Sequence, residues 1–116
     1  MSIGIRMILR SSTMKVEELY RINCEFLSYA PEIDIRKNSQ FQQWFNLIES
    51  LFTLQALALK VSTLEIPSDD FRVQVSKLKV RIFNSCLILT ESTGHKIMDT
   101  YGELNDILVK SYGVWT

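Results

Sequence analysis

Residues able to do chemistry are few in this chain, and they are scattered. Its one histidine, His95, follows Gly94 and lies four residues after Glu91. A Glu and a His at that spacing can share a helix face and hold a metal. Here a glycine interrupts the helix between them, and the second Glu-x-x-His pair that a carboxylate-bridged di-iron bundle needs is missing. His95 reads instead as a solvent-facing loop residue that helps cap the preceding helix. With a lone histidine, Ser-His-Asp or Cys-His catalysis has a single base to build on, and neither Cys24 nor Cys86 has a neighbour that would activate a thiol. The helical-nuclease pattern, an Arg followed within a few residues by His, is missing too. The acidic pairs Glu17-Glu18 and Asp69-Asp70 are adjacent residues that point in different directions on a helix, and both fall in first turns, where carboxylates complement the helix dipole. Four scattered glycines form no phosphate-cradling loop. The expectation is a protein that is not an enzyme, with no catalytic residue, metal ligand or cofactor.

Charge supplies the next candidates. Thirteen basic residues balance thirteen acidic ones, so no global field draws the chain to nucleic acid or to an anionic membrane. Local concentration is greatest at Lys77, Lys79 and Arg81, joined by Arg72. These could contact phosphate or an acidic partner, and nucleic-acid binding through this face is the alternative function. On a helix they spread over more than one face, with Leu78, Val80 and Ile82 between them as core contacts. The cysteines are far apart and set among apolar residues, so both read as buried free thiols suited to a reducing, cytoplasmic compartment. A disulfide between facing helices stays open.

The elements that must position these residues are helical. Val16, Leu19, Tyr20, Phe26, Leu27 and Ala30 recur at helical spacing after a cap at Ser12 or Thr13, and Pro31 ends a first helix over about 14–29. A linker, PEIDIRKN, follows, with Ile33 and Ile35 turned inward. The second helix, about 40–65, starts after a cap at Asn38 or Ser39 and stops at Ile66-Pro67. Phe41, Trp44, Phe45, Ile48, Leu51, Phe52, Leu54, Ala58 and Leu59 fill one broad face, while Gln42, Gln43, Asn46, Glu49, Ser50, Thr53 and Lys60 fall opposite. Its stretch WFNLIESLFTLQALAL carries one charge, yet it is shorter than the roughly 20 apolar residues of a membrane span and keeps a polar stripe.

A third helix over 69–93 is signalled by Ser68 as cap and Gly94 as terminator. Phe71, Val75, Leu78, Ile82, Cys86 and Leu89 form one stripe, and Val73, Val80, Phe83 and Leu87 a second, which predicts a helix contacted on two sides. FRVQVSKLKVRIF (71–83) also alternates like a hairpin, but Ser-Lys is a poor two-residue turn. The fourth helix, about 96–112, is cleanly amphipathic, with Gly102 either permitting close packing or weakening it. The first 13 residues are apolar with two arginines. They read as a short extension over the core, with a faint likeness to a transit peptide and an alternative start at Met14.

The pattern therefore predicts an all-α fold, a small antiparallel four-helix bundle with a short N-terminal extension, forming one domain over 1–116. Its abundant apolar surface points to a protein–protein interaction module of adaptor, immunity or inhibitor type, including self-association as a homodimer, without a membrane span. Candidate partner contacts are Trp44, Leu47, Leu54, Leu57, Tyr112 and Trp115.

Overall fold

The computed structural model describes residues 16–61 and 68–113. Within them the chain forms four α-helices: α1 over 16–27, α2 Asn38–Val61, α3 Asp69–Thr93 and α4 Lys96–Tyr112. A single 3-10 turn, Ala30–Glu32, lies between α1 and α2, with Pro31 in its first turn. The bounds of α3 follow from its caps. The Ser68 hydroxyl accepts a hydrogen bond from the Phe71 N–H at 3.1 Å, Asp69 and Asp70 occupy the positive first turn, and Gly94 at φ 74° ends the helix. Gly113, left-handed at φ 66°, ends α4 in the same way. The segment 71–83 is continuous helix, so the hairpin alternative is resolved. The expected stop at Ile66-Pro67 and the N-terminal extension lie outside the described residues.

Contacts along the chain set the helices antiparallel. Gln40 at the start of α2 meets Ile88 and Ser92 near the end of α3, whereas Glu49 further along pairs with Arg81. Phe71 and Phe83 of α3 stack against Tyr112 and Tyr101 of α4, again in reversed order. α1 closes the ring. Asn23 bonds Gln55 of α2, and Tyr29 after its end reaches Lys96 and Thr100 at the start of α4. The result is an up-down four-helix bundle.

Each helix contributes one stripe to a single core: Leu19, Ile22 and Phe26 from α1, Leu47, Leu51, Leu54 and Ala58 from α2, Val75, Ile82, Cys86 and Leu89 from α3, and Ile97, Leu104 and Leu108 from α4. Each large apolar side chain removed from water in this way stabilises the fold by about 1.5–3 kcal/mol.

The orientation of α2 departs from expectation. Gln40 and Ser50 are buried, while Phe41, Phe45, Phe52 and Leu59 face outward. The core seam runs through 40, 47, 51, 54 and 58, and the aromatic row sits about 100° round the helix from it. α3 is likewise packed by α2 and α4, yet Val73, Val80 and Leu87 of the second stripe are exposed, and Phe83, partly exposed, stacks on Tyr101. Tyr20, Leu27 and Ile35 are exposed as well, whereas Ile33 is buried. Of the two free thiols, Cys86 is buried and Cys24 is exposed, which corrects the expectation that both lie inside.

Candidate protein interface

Residues 41, 45, 48, 52 and 59 of α2 recur at spacings that keep them on one side of the helix, and that side faces away from α3 toward α1. Phe45 is 60% exposed and Phe52 65%, with Phe41 stacked on Phe45 at 5.8 Å between ring centroids. α1 continues the same surface through Tyr20, 61% exposed, together with Cys24 and Leu27. Between the two helices runs an apolar groove of about 260 Å³, lined by Tyr20, Asn23, Cys24, Leu27, Ile48, Leu51, Phe52 and Gln55. On its floor the Asn23 amide donates to Gln55 Oε1 at 2.8 Å, and Asn23 Oδ1 finds no hydrogen-bond partner among the described residues. The thiol of Cys24 beside the Tyr20 hydroxyl raises that phenol's pKa.

The apolar side chains of the face are bordered by charges that are mostly paired, with exposed Glu17 one turn before Tyr20. α2 holds only Glu49 and Lys60, and Glu49 pairs with Arg81 across the α2–α3 side at 3.8 Å. On α1, Arg21 lies 3.8 Å from Glu25 and 3.9 Å from Glu103, tying it to α4. Glu25 is pushed above the ordinary carboxylate range, by partial burial first and then by the Glu103 carboxyl beside it, with Arg21 opposing. The groove's lining is aromatic and aliphatic but for the Asn23–Gln55 pair and the polar ends of Tyr20 and Cys24. Such a lining can exclude water against another apolar surface.

The sequence candidates are dispersed. Leu47, Leu54 and Tyr112 are buried by the chain's own helices, so a folded monomer does not offer them to a partner. Tyr112 lies against Phe71, its hydroxyl without a partner among the described residues, and burial assisted by Glu18 pushes it up to about 12. Trp44 and Leu57 are half-buried against the core, Leu57 lining a shallow depression on the α2–α3 side. Trp115 lies outside the described residues. The basic cluster is not one patch. Lys79 is buried, Arg81 faces Glu49 of α2, and Arg72 pairs with Asp69 at 3.1 Å, which leaves Lys77 exposed on the outer side of α3. A phosphate track needs its cations on one face.

Of the residues that do come together, Tyr20, Cys24, Leu27, Phe41 and Phe52 read from the sequence as core, and Phe45 as core or as an interface anchor. The available signal was the presence in α2 of more apolar residues than a single seam can bury. Among the described residues no cluster of metal-ligating side chains occurs, and no helix is long and apolar enough to cross a membrane. No protein-family model matches the chain, and no curated protein or solved structure matches it either.

Proposed function

We propose that this chain is a helical protein–protein interaction module of adaptor, immunity or inhibitor type, and that the apolar α1–α2 face is its contact surface. One observation carries the reading: three aromatic side chains, Tyr20, Phe45 and Phe52, each about three-fifths exposed, share one surface, with Glu49 beside them paired to Arg81. Exposed apolar residues are common singly, but a contiguous patch edged by polar residues is the mark of a surface covered in use, and buried aromatic anchors dominate the energy of such contacts. The two free thiols support a reducing compartment such as the cytoplasm.

The test is a double variant, Phe45→Glu with Phe52→Glu. Both positions are solvent-exposed, so the fold should persist with little change in helicity or melting temperature. Tagged wild type and variant, expressed in the native cell and purified under mild conditions, are compared by size and by co-purifying mass. Loss of the wild-type complex in the variant supports the reading, and identical complexes contradict it.

A further inference from the structure

We infer that the occupant of the α1–α2 face is a second copy of this chain, docked about a two-fold axis so that the aromatic row of each copy covers the groove of the other. This rests on the reading of that face as a contact surface, and it is drawn from area and charge. Tyr20, Phe41, Phe45 and Phe52 are 61%, 40%, 60% and 65% exposed. With the aliphatic residues between them they present on the order of 600 Å² per copy, close to the roughly 800 Å² per partner of a specific interface and at the upper limit of what a monomer leaves in water.

Charge then selects the partner. A two-fold contact sets each residue's surroundings against the same surroundings, so any net charge on the patch would face itself. The apolar side chains of this patch carry none; on its rim Glu49 pairs with Arg81 and Arg21 lies between Glu25 and Glu103, while exposed Glu17 stands one turn before Tyr20. The whole chain is also neutral, thirteen bases against thirteen acids, so two copies approach without long-range repulsion. The groove of about 260 Å³ is apolar but for the Asn23–Gln55 pair, and a phenyl ring from α2 of the second copy matches that lining.

Sedimentation equilibrium of the full chain, from about 1 to 100 µM, reads the proposal through three proteins: wild type, Phe52→Glu, and Val80→Glu on the exposed side of α3 as the control. The expected result is a wild-type dimer whose dissociation constant rises at least about thirtyfold in Phe52→Glu, the size of a hot-spot loss, and is unchanged in Val80→Glu. Circular dichroism confirms that each protein is folded, and Phe45→Glu replaces Phe52→Glu if the latter is not. A wild-type monomer throughout overturns the second copy, as does a dimer that Phe52→Glu leaves intact. Neither result touches the interaction reading, which stands or falls separately on the co-purification of the double variant.

Discussion

At the residue scale, two buried or crowded polar groups have measurable consequences. Gln40 is fully buried at the α2–α3 seam, where its amide donates to the Ile88 carbonyl at 3.0 Å and to Glu91 Oε2 at 3.2 Å and its oxygen accepts from the Ser92 hydroxyl at 2.6 Å. Gln40→Ala removes these bonds and opens a cavity, so urea denaturation should show a loss of about 2–3 kcal/mol. Glu25 works in the opposite sense. Its folded pKa lies above the ordinary value of 4.5, chiefly through partial burial and then the adjacent Glu103. The folded state therefore binds the proton more tightly than the unfolded one, and the cost is present above the folded pKa and vanishes below 4.5. Glu25→Gln should accordingly raise the melting temperature at pH 7 and leave it unchanged near pH 4. The gain should be small, on the order of a few tenths of a kcal/mol, because solvent screens the pair.

At the element scale, the ends of α3 and α4 were readable from the sequence, whereas α1 stops at 27 instead of 29, Asn38 and Ser39 lie inside α2 instead of capping it, and helix orientation was not readable. Ser68, Gly94 and the residues after them gave α3 and α4 their observed bounds because a cap is a local device, satisfied within one turn. Which side of α2 faces the core is a matter of tertiary competition. Its aromatic row looks the more hydrophobic, yet the seam through Gln40, Leu47, Leu51, Leu54 and Ala58 won, because Gln40 bonds the Ile88 carbonyl and the Ser92 hydroxyl of α3 and the compact Leu and Ala side chains pack closely. Periodicity shows that two apolar stripes exist; it does not say which one lacks a neighbour. The same blindness placed Cys24 inside and left Val73, Val80 and Leu87 with an expected second contact. Gly102 within α4 is decided by the structure: a Cβ there would meet nothing within 4 Å, so close packing is not its role. Gly102→Ala should then stabilise the protein by about 1 kcal/mol, through helix propensity alone, visible as a higher melting temperature.

At the scale of the whole molecule, the bundle buries one stripe from each helix and leaves two further apolar surfaces open, the α1–α2 face with its aromatic rings and groove and the α3 row of Val73, Val80 and Leu87. The candidate site was thus half legible. Excess apolar helix surface and the involvement of α2 were apparent in the sequence, whereas the particular residues required knowing the seam. Cys24 provides a direct reporter on that surface, since it lies in the α1–α2 groove and is exposed, while Cys86 is buried with its thiol pushed up to about 12 and stays unreactive in the native state. The decisive measurement is the rate of Cys24 alkylation in the native chain as its concentration rises from below 1 to about 100 µM, with Phe52→Glu as reference. The α1–α2 contact predicts a rate that falls as wild-type copies cover the groove and stays high at every concentration in the variant. One constant rate shared by both proteins would contradict it.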